Sequence, residues 1–198
     1  MISVYKYEAT DEDSCYEKCI EELDVYSSDL IVSSTETEDS YKMTVVKKDD
    51  VKDYIKEYIK EIGKHMDVDI QLEVREDEDI FNVTMVSNNN PILIGKDGRT
   101  IDAMQLMIRQ SLQNQTSMSV KVNLDASNYK ARKMKRFEYE IKNVVRDVQR
   151  TKVDAKLDPM NSYQRRAIHA LISNYSNVTT ESVGEEPNRC IVIKYAGE

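Results

Sequence analysis

The sequence predicts an α+β protein built from three small modules. Two kinds of hydrophobic spacing alternate along its 198 residues. Apolar residues three and four positions apart predict amphipathic helices, and apolar residues at every second position predict half-buried strands. With only 5 Gly and 3 Pro, the chain resembles neither a collagen-like repeat nor a low-complexity segment. The predicted modules cover residues 1–48, 49–124 and 125–198.

The first module is predicted to fold as strand, helix, strand, strand. The predicted elements are a strand at Ile2, Val4 and Tyr5, a helix from about Asp11 to Leu23, and strands at Leu30–Val32 and Tyr41–Val46. Asp11 or Asp13 can cap the helix. The polar run SSTETEDS is predicted to be a mobile turn, and Lys47–Asp50 is predicted to be a linker.

The second module is predicted to fold as helix, strand, strand, helix, strand. Apolar residues from Val51 to Met66 follow helical spacing, and two alternating runs at Val68–Val74 and Phe81–Met85 predict a hairpin around a REDED turn. The glycine-bracketed sequence Ile94-Gly95-Lys96-Asp97-Gly98-Arg99 then opens a helix, and Met118–Leu124 alternates as a third strand.

The third module begins with a long helix, predicted from about Ser127 to Val153. Pro159 and Asn161 mark the start of a second helix, which runs to about Asn174. Two final strands, Val178–Val183 and Arg189–Tyr195, flank a GEEPN turn.

Charge is distributed unevenly along the chain. The net charge is −9 over residues 1–50, −5 over residues 51–90 and +6 over residues 91–198. Between Lys130 and Arg166, 12 basic side chains stand against 5 acidic ones. This polarity indicates either that the second half meets a polyanion or that the long helix has a solvated basic surface.

Several classes of protein are not indicated. The longest apolar runs are far shorter than the ~20 residues of a membrane span, and the N-terminus lacks the pattern of a signal peptide, so we expect a cytoplasmic protein. The 3 cysteines and 2 histidines are scattered, which predicts neither a zinc site nor a disulfide framework. No nucleophile with a paired base and no Walker-type loop is present. We therefore expect that the protein is not an enzyme and that it binds neither a cofactor nor a metal.

Two motifs are candidate nucleic-acid sites. In the first, Gly95 and Gly98 allow close backbone approach, the helix N-terminus attracts phosphate, and Lys96 and Arg99 add positive charge beside Asp97. The alternative is a plain loop-to-helix turn. In the second motif, Arg165 and His169 share a helix face next to Arg166, which suits a phosphate. The alternative is an exposed arginine with a half-buried histidine.

In this setting the first motif resembles the GxxG loop of a KH domain of the bacterial type II arrangement, over about Val51 to Leu124. That resemblance implies that Gly95, Lys96, Asp97, Gly98 and Arg99 clamp single-stranded nucleic acid against an apolar groove. Ile92, Ile94, Ile101 and Met104 suit its wall, although core packing is the alternative for most of them. Asp97 places an acid where a phosphate would lie, which favours weaker binding or a protein ligand.

The second motif, with PMNSYQRRAIH and VTTESVGEEPNR, resembles the Arg-x-x-x-His or "R-three-H" domain over residues 125–198, including the long basic helix. The resemblance places Arg165 and His169 at the name-giving positions and Arg189 at a further basic position. Tyr129, Tyr139 and Tyr163 could each stack on bases or pack internally.

A KH unit followed by an R-three-H domain, behind a small N-terminal module, is similar to the Jag (SpoIIIJ-associated) family. This resemblance implies a bacterial RNA-binding protein linked to cell elongation and division, which pairs with a small single-domain KH protein. Where relatives usually carry a basic, glycine-rich stretch, this chain has SSTETEDSYKM.

We therefore predict a binder of single-stranded RNA, with single-stranded DNA as another ligand and homo-oligomerisation left open. The basic helix is expected to bridge the two motifs electrostatically. The alternative is a protein-interaction scaffold, in which the KH unit pairs with another KH protein and the acidic first module recruits a membrane-associated factor. A nuclease is a third hypothesis, which the sequence does not favour because no carboxylate cluster accompanies the basic surface.

Overall fold

A computed structural model of the chain describes residues 1–37 and 40–197. The chain divides into two compact units, residues 1–129 and residues 130–198. The architecture is mixed α+β, as predicted, with small three-stranded sheets and helices packed on them.

The first unit contains two three-stranded sheets. The first sheet has the order β1-β3-β2, with both pairs antiparallel, and the second has the order β4-β5-β6, in which β6 pairs parallel to β5. The elements are β1 (Tyr5–Ala9), α1 (Glu12–Leu23), a 3-10 turn (Ser27–Asp29), β2 (Leu30–Glu36), β3 (Tyr41–Lys47), α2 (Lys48–His65), β4 (Ile70–Asp77), β5 (Ile80–Ser87), α3 (Asn90–Ile94), a second 3-10 turn (Lys96–Gly98), α4 (Arg99–Thr116) and β6 (Lys121–Ala126).

The junction at residues 47–50 is not a linker, so that prediction is wrong. Strand β3 ends at Lys47 and α2 begins at Lys48 without a break. Val45 and Val46 are both fully buried but belong to different apolar clusters, because neighbouring strand residues point to opposite faces. Val45 packs on α1, and Val46 joins the core of α2, α4 and the second sheet. Strand β3 therefore joins the two halves of this unit, and both cores would lose a strand face if it were flexible.

Other predicted boundaries shift as well. The first strand runs from Tyr5 to Ala9 and not from Ile2, although Ile2 is buried. The predicted mobile turn is shorter, because Ser33–Glu36 continue β2. Glu38 and Asp39, which fall within that prediction, lie outside the described residues. The hairpin turn is confined to Glu78 and Asp79, both with positive φ, while Arg75–Asp77 pair in the ladder.

The second unit packs two helices on one antiparallel sheet of order β7-β9-β8. Its elements are α5 (Tyr129–Thr151, whose first residue belongs to the first unit), β7 (Ala155–Lys156), α6 (Ser162–Ile172), β8 (Val178–Val183) and β9 (Cys190–Tyr195). Ile141, Val145 and Val148 of α5 meet Ile168 of α6 and Ile193 of β9 in the core. The predicted helices and final strands are confirmed, whereas the short strand β7 and helix α3 were not predicted.

The structure also describes the state of the cysteines and the length and hydrophobicity of the helices. All three cysteines are buried and free of disulfide bonds. Among the residues that the structure describes, no helix is both long enough and apolar enough to span a bilayer.

Candidate nucleic-acid interface

The GxxG loop joins α3 to α4 through a turn that requires glycine at both ends. Gly95 has φ +73° and Gly98 has φ +88°, a region that residues with a side chain enter at a cost. The Gly95 amide donates to the Pro91 carbonyl at 2.9 Å, which closes α3, and α4 begins at Arg99 directly after Gly98. Glycine is thus required by the backbone path before any ligand is considered.

Gly98 is also required by packing. It is buried, and a Cβ built there would lie 2.8 Å from Cε1 of Tyr129 and 3.3 Å from its hydroxyl oxygen. The ring of Tyr129 therefore lies directly against the loop backbone. Of the three tyrosines considered for stacking, Tyr129 is the one with a packing role at this loop.

The loop presents charge to solvent at the start of a helix. Lys96, Asp97 and Arg99 are exposed, and Gly98, as N-cap of α4, provides no side chain to cap the first amide groups. The side chains of Lys96 and Arg99 form no hydrogen bond or ion pair with any residue that the structure describes. An uncapped helix N-terminus flanked by two cations suits a phosphate group, with Asp97 setting a local opposing charge.

The predicted groove wall divides into core and surface. Ile94, Ile101 and Met104 are at most 9% exposed and belong to the core, which was the alternative given for them. Ile92 is 46% exposed beside the loop. Farther along α4, Leu106 and Met107 are 58% and 48% exposed. Of the predicted groove wall, Ile92 alone is exposed, and the exposed apolar residues of α4 are ones that the sequence did not single out.

In the second unit, Arg165 lies inside the fold. Asn161 caps α6 by accepting from the Gln164 amide at 2.9 Å, and this fixes the first turn of the helix. The Arg165 side chain is 10% exposed, and its Nη1 donates to the Met160 carbonyl at 2.9 Å and to Oε1 of Glu186 at 2.7 Å. The guanidinium thus ties α6 to the β8–β9 connection, unlike the exposed arginine of the alternative given above.

His169 and Arg189 are brought together by two hydroxyl groups on β8. His169 Nδ1 lies 2.5 Å from Thr180 Oγ1, and Arg189 Nε donates to Ser182 Oγ at 3.0 Å. Thr180 and Ser182 are two residues apart on one strand, so their side chains share a face about 7 Å apart. Arg165, His169 and Arg189 therefore face the same hairpin.

Arg166 lies three positions before His169 on α6 and takes no part in those contacts. It is exposed and pairs with no residue in the described part of the chain. The basic α5 has a similar character, since Arg132, Lys135 and Arg136 are exposed on its first turns. The bridging role predicted for this helix stays a prediction.

Three contributing residues were missed by sequence reasoning. They are Thr180, Ser182 and Glu186, all in the second unit. The alternation of hydroxyls at 180 and 182 on a predicted strand was a signal that could have been read. No signal pointed to Glu186, which lies 21 residues from its partner in sequence.

Two segments of the chain match families of known protein domains. Residues 52–124 match the family described as "KhpA/KhpB, KH domain", and residues 132–195 match the R-three-H domain family. The chain is 40% identical to the RNA-binding protein KhpB of Clostridium symbiosum over 134 residues, which is 68% of this chain and 60% of that protein.

Two further relatives carry the same name. Identity is 33% over 130 residues to KhpB of Lactiplantibacillus plantarum, covering 66% of this chain and 40% of that protein. It is 29% over 124 residues to KhpB of Bacillus subtilis, covering 62% and 60%. The chain thus aligns with 40 to 60% of the length of these curated relatives, whose names describe binding proteins and not enzymes. The chain therefore contains a KhpA/KhpB-type KH domain followed by an R-three-H domain, the pair of domains on which the resemblance to the Jag family rests.

Proposed function

We propose that this chain binds single-stranded RNA through two surfaces, one on each unit, without catalysing a reaction. The observation that carries the proposal is the glycine loop at the uncapped start of α4, flanked by exposed Lys96 and Arg99. The names of the relatives, which describe RNA-binding proteins, support RNA as the ligand.

On the first surface, the Gly95–Gly98 backbone, Lys96 and Arg99 hold phosphates, and Asp97 limits the affinity. On the second surface, the RNA strand is contacted by His169, Arg166 and Arg189, while Arg165 holds α6 in place. Among the residues described, none bonds to Nε2 of His169, so this nitrogen is available to a phosphate oxygen. Such contacts position a strand with little reading of its bases, so single-stranded DNA is a second ligand.

The same proposal extends to the setting in the cell. We infer a cytoplasmic regulator acting after transcription and linked to bacterial cell elongation and division, as the family resemblance implies. The acidic first module, net −9 over residues 1–50, is then the part that reaches a membrane-associated partner.

The test measures binding of a fluorescent 12-nucleotide RNA by anisotropy across a salt series. For single strands, each phosphate contact makes the slope of log K against log salt more negative by about 0.7. Replacing Lys96 and Arg99 together by Gln should make that slope less negative by about 1.4 and weaken binding. The matched control is Lys6→Gln, which removes an exposed lysine from β1 and should change neither quantity.

A second double variant, Arg166→Gln with Arg189→Gln, makes the same test on the other unit. A native slope near zero would contradict the proposal, as would binding unaffected by both double variants.

A second candidate function is favoured by Leu106 and Met107, exposed neighbours on α4. Exposed apolar side chains on a helix suit a protein contact, here with a second KH domain from a small partner or another copy. Sedimentation of the chain with Leu106→Asp would test this, because an apolar interface should be lost with the variant and should respond weakly to salt. Unchanged association in the variant would contradict it.

A further inference from the structure

Helix α6 has a second face, opposite its buried one, that carries an aromatic ring. Arg165, Ile168 and Ile172 are buried on one side of the helix. Tyr163 and Arg166 are three positions apart, which places them about 60° apart on the other side. Both are exposed, and the Tyr163 side chain is 69% accessible.

Nothing in the described part of the second unit pairs with this face. Neither the Tyr163 hydroxyl nor the Arg166 guanidinium makes a hydrogen bond or ion pair with a described residue. The other residues along this face are Ala167 and Ala170, which are too small to cover the ring. An aromatic ring with an open face and an unpaired guanidinium beside it form a surface with both polar and apolar recognition groups.

We propose that Tyr163 is a base-stacking residue and that Arg166 binds the phosphate of the same or the next nucleotide. Residues at positions i and i+3 of a helix lie about 5–6 Å apart, comparable to the reach between a base and its phosphate. The flat ring gives a platform that every base can use, so recognition depends on unstacked bases and not on sequence. This inference rests on the proposed function and defines its ligand more narrowly, as a strand with accessible bases.

The geometry also separates Tyr163 from other exposed tyrosines. Tyr26 is 79% exposed but lies in the first unit, in a stretch of sequence, residues 19–41, that contains no lysine or arginine. It therefore offers a matched control, because its replacement removes an equally accessible ring.

The experiment uses the full chain and a 12-nucleotide oligoadenylate with one central 2-aminopurine, whose fluorescence falls when the base stacks on a ring. Replacing Tyr163 by Ala should weaken binding about tenfold, within the range known for single stacking contacts, and should abolish the quenching. Tyr163→Phe should keep both, since it retains the ring face, and Tyr163→Leu should behave like the alanine variant. Tyr26→Ala should bind as the native chain does.

The outcomes separate this inference from the broader proposal. If the native chain binds the oligonucleotide and Tyr163→Ala binds equally well, stacking is refuted while RNA binding stands. If Leu restores binding as well as Phe does, the contact is only apolar and the stacking role is also refuted. If the native chain does not bind at all, both the proposed function and this inference fail. Because Tyr163 is exposed, thermal unfolding midpoints of all variants should agree, which excludes misfolding as the cause of lost binding.

Discussion

Replacing Gly98 by Ala imposes two costs that can be measured separately. The first is conformational, because φ at this position is +88° and a residue with a side chain pays about 1–2 kcal/mol there. The second is steric, because the new Cβ would lie 2.8 Å from Cε1 of Tyr129. Overpacking of this kind costs about 1–3 kcal/mol, so the free energy of unfolding should fall by about 2–5 kcal/mol.

A matched glycine separates the two costs. Gly184 has a similar φ of +84°, but a Cβ there would have no neighbour closer than 3.5 Å. Gly184→Ala should therefore cost only the conformational part, about 1–2 kcal/mol. Native-state hydrogen exchange reports each value locally, from amides of β5 for Gly98 and of β9 for Gly184.

A double-mutant cycle tests the ring contact directly. In a Tyr129→Ala background, Gly98→Ala should lose its steric part and cost about as much as the Gly184 variant. Equal costs of Gly98→Ala with and without the ring would refute the argument that Tyr129 presses on the loop.

Three further predictions concern stability and the second surface. Lys48 pairs with Glu76 at 3.0 Å and Asp79 at 2.9 Å, and although burial alone would lower its pKa, these hydrogen bonds and charges raise it. Because its pKa is raised, the charged form of Lys48 stabilises the fold at pH values below the ordinary lysine pKa, and this contribution is lost as the pH rises through the raised pKa. Lys48→Met should therefore lower the free energy of unfolding by about 1–2 kcal/mol at pH 8. Urea titrations should show that this difference between the native chain and the variant shrinks above pH ~10.5. Asn161→Ala removes the cap of α6 and should cost about 1 kcal/mol, seen as a lower thermal midpoint, whereas Asn161→Ser should not. Thr180→Val removes the hydroxyl that holds His169, so it should weaken RNA binding severalfold while changing the free energy of unfolding by about 1 kcal/mol or less. If the variant and the native chain bind equally well by anisotropy, the hydroxyl does not position His169 for binding.

The helices were predictable where one face alone is buried. In α2, the buried residues Val51, Ile55 and Ile59 recur at helical spacing, and charged residues cover the other side. The same reasoning failed at residues 47–50. A run of lysine and aspartate has the composition of a linker, but Lys48 is buried and paired with two acids of the β4–β5 hairpin. Ion pairs between segments remote in sequence leave no periodic pattern, so the composition was misleading there.

The glycine loop was predictable for a different reason than the arginine-histidine motif. A backbone that needs positive φ restricts the residue type at that position, so Gly95 and Gly98 are visible in the sequence itself. The spacing of Arg165 and His169 shows only that they share a helix face, not whether that face meets solvent or protein. Here it meets the β8–β9 hairpin, where Glu186 holds the arginine.

This difference determines how the second surface must be tested. Because Arg165 is held by Met160 and Glu186 inside the fold, its removal disturbs α6 whether or not it ever touches a phosphate. An Arg165→Ala, His169→Ala pair would then mix loss of structure with loss of contact. Arg166 and Arg189 are exposed, so their replacement removes charge without opening the core. Binding that survives loss of these two arginines but not of Arg165 would mean that the second unit supports its ligand through the shape of α6 and not through phosphate contacts.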